Sequence, residues 1–172
     1  TKDRNISKGD LSFATSQIQH RGPNASGHYI STNTRYALGH RRLSIIDLSE
    51  SANQPFHSHC DRYVMVYNGE IYNYEEIAKK YNISTKTTSD TEVILESFAK
   101  NGVQCVNDFN GMFALSIWDK KEEVLYLFRD RLGIKPLFVY QREGKLAFAS
   151  ELKAIKALPL SFSIDYDAIA KN

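Results

Sequence analysis

Met112-Phe113-Ala114-Leu115-Ser116-Ile117-Trp118, then Asp119-Lys120-Lys121-Glu122, then Val124-Leu125-Tyr126-Leu127-Phe128, is the stretch on which the fold turns. Two apolar, strand-forming runs flank a short charged connection, the signature of an antiparallel hairpin. A second pair follows at once, with Leu137 to Tyr140 and Leu146 to Ala149 joined through Arg142-Glu143-Gly144. Parallel sheet needs a long crossover between strands, so consecutive hairpins place this half of the chain in antiparallel sheet.

Working back toward the N-terminus, Tyr63-Val64-Met65-Val66-Tyr67 reads as a buried strand that ends in a tight turn at Asn68-Gly69. Tyr74 to Tyr81 is helical. A further helix starts at Ser89 or Asp90, carries Val93, Ile94, Ser97 and Phe98 inward, and stops at Asn101-Gly102. Earlier still, Asp10 is expected to cap a helix reaching Gln19. His28 to Ile30 and Tyr36 to Leu38 form a hairpin around Thr32-Asn33-Thr34, and Leu43 to Leu48 is a β-branched apolar run. At the other end, Glu151 to Leu158 is helical, and Asp165 to Asn172 reads as the start of another helix. Helices that do not alternate with strands, beside serial hairpins, give an α+β fold with helices layered on antiparallel sheet.

The bulk numbers exclude several classes. The chain has 172 residues, with 42% hydrophobic and 24% charged, and 22 Lys+Arg against 20 Asp+Glu. That size suits one domain with a self-sufficient core. The near-neutral balance, without a dense basic run, argues against nucleic-acid binding. No apolar stretch approaches the roughly 20 residues of a membrane span. Two cysteines, Cys60 and Cys105, make no disulfide framework and fit a reduced, cytoplasmic chain.

The chemistry begins at Asn68-Gly69. An Asn carboxamide beside an unshielded Gly N–H supplies the two donors of an oxyanion hole, although locally the pair reads first as a hairpin turn. Arg41-Arg42, read as preceding a strand, offer a fork for a carboxylate, and Asp90 offers an acceptor for an ammonium. Together they would hold a free α-amino acid; singly, each reads as a surface Arg and an N-cap Asp. Arg129 to Leu137 packs three cations and one anion around a glycine and a proline, and reads as a charged loop locked by internal pairing. His57-Ser58-His59-Cys60 holds three metal-ligand types, and if extended His57 and His59 share a face. The remaining histidines are scattered, so no second ligand cluster exists and no metal is expected. There is no Gly-x-Ser-x-Gly, no P-loop lysine and no His-Glu-x-x-His.

One resemblance gathers these fragments. His20-Arg21-Gly22-Pro23-Asn24, Gly39-His40-Arg41-Arg42-Leu43-Ser44-Ile45-Ile46-Asp47 and Gln54-Pro55 come first in order. Tyr67-Asn68-Gly69-Glu70-Ile71-Tyr72-Asn73, Ser89-Asp90-Thr91-Glu92 and Asn110-Gly111-Met112-Phe113-Ala114 come next. The Arg129 to Leu137 loop and Ala149-Ser150-Glu151-Leu152-Lys153-Ala154 close the series. The ordered set resembles the glutaminase domain of glutamine-hydrolysing asparagine synthetases, a class II, N-terminal-nucleophile glutamine amidotransferase domain.

The resemblance implies a four-layer αββα sandwich. It implies that Arg42 pairs with the α-carboxylate of glutamine and that Asp90 binds its α-ammonium. Glu70 and Gly69 would line the pocket, with backbone around Ile45 and Ile46 as a further wall, while the Asn68 side chain and the Gly69 N–H form the oxyanion hole. It also implies a cysteine nucleophile at the mature N-terminus, on the first strand. Here the sequence opens Thr1-Lys2-Asp3, and the spacing to His20 is short by one strand, about 5–8 residues. Residues 1–160 are therefore expected to be a glutaminase domain without its first strand, and 161–172 the start of a linker. Alone, such a chain is expected to bind glutamine poorly and not to hydrolyse it. In the intact protein, ammonia would pass to ATP-dependent asparagine synthesis from aspartate in a C-terminal synthetase domain. No cofactor is implied in the glutaminase domain; ATP and Mg belong to the synthetase domain. The implied partners are glutamine and that second domain, with a homodimer allowed. The alternatives are the glutaminase of an amidotransferase acting on a sugar or peptide precursor, and a non-catalytic scaffold lacking the nucleophile.

Overall fold

The structure, a computed structural model, describes residues 7–43 and 53–163; the expectations for Ile45, Ile46, the rest of 44–48, the opening residues and 165–172 lie outside the described residues. Four helices and eight strands run in the order α1 (Lys8–Ser16), β1 (Ala25–Ile30), β2 (Ala37–Arg42), β3 (Phe56–His57), β4 (Tyr63–Ile71), α2 (Tyr74–Lys80), α3 (Asp90–Asn101), β5 (Gly111–Asp119), β6 (Val124–Arg129), β7 (Phe138–Arg142), β8 (Lys145–Ala149) and α4 (Leu152–Lys156).

All strand pairs are antiparallel, as the hairpin pattern requires. One sheet has the order β3-β4-β5-β6, and β1-β2 and β7-β8 are separate two-stranded sheets. The expected turn at Asn68-Gly69 is not there. β4 runs straight through both residues, pairing Asn68 with Ala114 and Gly69 with Phe113, and ends at Ile71 opposite Gly111. The nine-residue partner strand β5 holds the dipeptide extended, so tertiary pairing overrides its local turn preference. The true two-residue turn is Glu143-Gly144, both at positive φ, which matches the twist of the β7–β8 ribbon.

Strand alternation sorts the core into two layers. Met65, Tyr67 and Ile71 of β4 face α3, where they meet Val93, Ile94 and Phe98. Val64 and Val66 face the other way, onto Leu38 of β2 and Trp118 of β5. β2 in turn carries α1 on its far side: a Cβ at Gly39 would lie 2.3 Å from Thr15 Oγ1 of that helix. α4 packs on β8 and α1. The layers are therefore α1 and α4, the two hairpins, the four-stranded sheet, and α2 with α3, the expected αββα sandwich.

Helix ends refine the reading. Ser7, not Asp10, caps α1, its hydroxyl accepting the Asp10 N–H at 3.0 Å, so the helix begins earlier and ends at Ser16 rather than Gln19. Ser89 caps α3 by accepting from the Thr91 N–H at 3.2 Å, which leaves the Asp90 carboxylate for other work. α4 covers five residues, fewer than the expected span.

Candidate active site

The exposed edge of β4 beyond β3 is the organising element. Phe113, opposite Gly69, turns its N–H and C=O toward Asp130, donating to Oδ2 at 3.1 Å and accepting the Asp130 N–H at 2.8 Å. Gly69 and Phe113 are thus a non-hydrogen-bonded pair, and the Gly69 N–H points to the opposite edge. On that edge the Tyr67 N–H donates to Gln54 Oε1 at 2.6 Å, and the Ile71 N–H donates to Asp90 Oδ2 at 3.0 Å. Glycine is required at 69 because a Cβ would meet Met112 O at 2.2 Å.

Asn68, one residue earlier, sends its side chain into the space between the sheets. Its Nδ2 is sealed from solvent and has no hydrogen-bond partner among the described residues. Such an orphan donor costs about 1–3 kcal/mol unless a ligand satisfies it. Arg42 ends β2, and its Nη1 donates to Asn53 Oδ1 at 2.7 Å; the strand expected to follow it lies outside the described residues. Asp90 accepts from Ile71 N and from Tyr67 Oη, at 2.8 Å, both through Oδ2. Burial, followed by the Asp90 charge, pushes the Tyr67 phenol far up, so it stays a proton donor to Asp90.

One cavity of about 1860 Å3 brings Arg42, Asn68, Gly69, Glu70 and Asp90 together. Its long walls are β2 and β8. Leu11, Ala14 and Thr15 of α1 lie on one face, with Val66, Ser116 and Trp118 of the four-stranded sheet on the other. Five sequence-predicted residues therefore share one site, and Ile45 and Ile46 lie outside the described residues.

Three contributors escaped the sequence reading: Gln54, Tyr67 and His40. His40 lies two residues before Arg42 on β2 and hence on the same face, which was the available signal. Its Nε2 faces the Tyr67 carbonyl at 3.2 Å, and its Nδ1 is sealed and has no partner among the described residues. Desolvation, against the carbonyl's pull and with help from the Arg42 charge, lowers its pKa to about 4, so the ring is neutral near pH 7.

The remaining candidates are structural. β3 ends at His57, and His59 lies beyond it, so the two do not share a strand face. His57 Nδ1 pairs with Asp61 at 3.0 Å, and His59 Nε2 with buried Glu92 at 2.6 Å. No group of three or more His, Cys, Asp or Glu side chains among the described residues has metal-binding geometry. In the Arg129 to Leu137 loop the lock is to backbone rather than between charges. Asp130 accepts from Ile134 N at 2.8 Å and Lys135 N at 2.9 Å, while Arg129 Nε donates to Lys135 O at 2.7 Å. Both cysteines are free thiols, and no helix among the described residues is long and apolar enough to cross a membrane.

The chain belongs to the glutamine amidotransferase domain family, which it matches over residues 2–172. It is 43% identical over 143 residues to asparagine synthetase (glutamine-hydrolysing) 2 of Bacillus subtilis strain 168, covering 83% of this chain and 19% of that protein. A Methanocaldococcus jannaschii protein, provisionally named asparagine synthetase (glutamine-hydrolysing) 2, is 40% identical over 185 residues, covering 96% of this chain and 36% of the relative. The chain thus spans well under half of either. The fold is shared with the B. subtilis glutamine phosphoribosylpyrophosphate amidotransferase at a TM-score of 0.71 and 18% identity, over 87% of this chain and 40% of that one.

Proposed function

We propose that this domain hydrolyses the side-chain amide of glutamine to glutamate and ammonia, and that in the whole protein the ammonia serves ATP-dependent synthesis of asparagine from aspartate. The observation that carries the reading is the sealed, unpartnered Asn68 Nδ2 beside the outward Gly69 N–H, in a cavity that also holds Arg42 and Asp90. Arg42 takes the α-carboxylate of glutamine. Asp90, positioned through Oδ2 by Tyr67 and Ile71, takes the α-ammonium. Glu70 lines the same pocket. The amide oxygen then lies between the Asn68 and Gly69 donors, each worth about 3 kcal/mol when charge develops there.

The cavity is larger than the roughly 300–1,000 Å3 of a common small-molecule site. The surplus lies between β2 and β8, strands of six and five residues. We assign that space to the first strand that the family resemblance implies, bearing the cysteine nucleophile. Its thiolate attacks the amide carbon, forming a C–S bond and a tetrahedral oxyanion. The C–N bond then breaks, and the nitrogen leaves as ammonia with a proton from the cysteine's own amine. Water hydrolyses the thioester. Residues 1–160 make up this domain and 161–172 begin the link to a synthetase domain, the seat of ATP and Mg. That domain chooses the acceptor, which is what separates asparagine synthesis from modification of a sugar or peptide precursor.

The test is glutamate release by the protein carrying a Cys-Gly-Ile-type N-terminal segment. Arg42→Ala and Asp90→Ala should each weaken glutamine binding at least tenfold, about 1.4 kcal/mol or more. Unchanged apparent affinity in both would sink the pocket assignment. A natural N-terminal residue other than cysteine would favour the scaffold reading.

A further inference from the structure

We propose that His40 is a specificity-determining residue of this site: its Nδ1 lone pair accepts an N–H of the substrate's carboxamide, so that the pocket tells an amide from an ester or a carboxylate. The inference rests on the glutaminase reading and assigns the recognition of the leaving nitrogen within it.

The geometry of β2 and β4 leads there. Tyr67 O is a carbonyl and can only accept, so the His40 Nε2 facing it at 3.2 Å carries the ring proton. A neutral ring with its proton on Nε2 has a bare lone pair on Nδ1, and that atom is sealed from solvent with no partner among the described residues. The depressed basicity of this ring, already described, keeps the lone pair free. Tyr67 O and the Gly69 N–H lie on the same edge of β4, less than one two-residue strand period (about 7 Å) apart. His40, Asn68 and Gly69 all line the one cavity.

The cavity therefore offers two orphans of opposite kind: a donor on Asn68 and an acceptor on His40. A primary amide is the group that satisfies both at once, its C=O accepting from Asn68 and its NH2 donating to His40. A carboxylate brings a second oxygen against the His40 lone pair, so glutamate fits worse than glutamine and the hydrolysis product is disfavoured where its substrate was held. An ester presents the same carbonyl to Asn68 and Gly69 and nothing to His40.

His40→Gln separates the roles, since the glutamine side chain can keep an N–H donor on the Tyr67 carbonyl while removing the acceptor. The experiment compares kcat/KM for glutamine with kcat/KM for glutamate γ-methyl ester in the full natural protein, wild type and variant. The amide-to-ester ratio should fall about tenfold in His40→Gln; a merely structural role would lower both values and leave the ratio alone. As a second measurement, independent of the variant's folding, the 15N resonance of His40 Nδ1 in the wild type should shift under saturating glutamine and not under the ester. An unchanged ratio, or a Nδ1 resonance indifferent to glutamine, overturns the role of His40 while leaving the glutaminase standing. Absence of glutamine turnover in the wild type overturns both.

Discussion

Tyr67 Oη donates to Asp90 Oδ2 at 2.8 Å, which ties the middle of β4 to the first residue of α3. The bond ties a carboxylate from the helix layer to the strand that carries Asn68 and Gly69. Tyr67→Phe keeps the ring packed and removes only the hydroxyl. We expect it to raise the KM for glutamine several-fold, with kcat little changed, and to cost about 1 kcal/mol of stability by urea unfolding. A fall in kcat with KM intact would place Tyr67 in the chemistry instead.

On the proposed function, Asn68→Ala removes a donor to the developing oxyanion. Turnover should drop about 10²–10³-fold while glutamine affinity changes far less, as steady-state kinetics would read directly. Gly69→Ala is a different lesion: the added methyl would collide with the Met112 carbonyl, so the loss should appear as reduced thermal stability along with reduced activity.

His40 also predicts a pH dependence. Its folded pKa of about 4 lies below the usual histidine value of 6.5, so the unfolded chain takes up the proton first as pH falls. Its contribution to stability is complete above about pH 6.5 and is lost on descending toward pH 4, by roughly 3 kcal/mol. Wild type should therefore lose stability relative to His40→Gln as pH falls across that window, measured as denaturation midpoints at several pH values. Parallel profiles would show that burial leaves this ring as basic as in the unfolded chain.

Much of the architecture could be read from local pattern, because antiparallel ribbons write themselves into the sequence as alternation and turns. Met112 to Phe128 is the clearest case, and its strands pair as expected. The failures share one cause. Asn68-Gly69 carries a strong local turn signal, yet Phe113 and Asp130, more than forty positions away, hold it extended and turn Gly69 outward. Glu92, three residues after the Ser89 cap, accepts from Lys86 N and Thr87 N and so pins the loop before α3, contacts that its local sequence does not announce. Arg42 and Asp90 were legible as residue types suited to an amino acid. Their convergence, like the parts of Gln54 and His40, depends on contacts between layers that no single segment encodes.

Among the described residues, the strands of the hairpins β1–β2 and β7–β8 pair only with each other, and both hairpins line the cavity. A two-stranded ribbon is marginal in water, so these amides open at lower free energy than those of β4 and β5 and exchange their hydrogens sooner. A strand seated between β2 and β8 would fuse the two ribbons into one sheet and slow exchange across both. On the reading proposed above, the segment that brings the nucleophile would also make this layer cooperative, so that chemical competence and rigidity arrive in a single step.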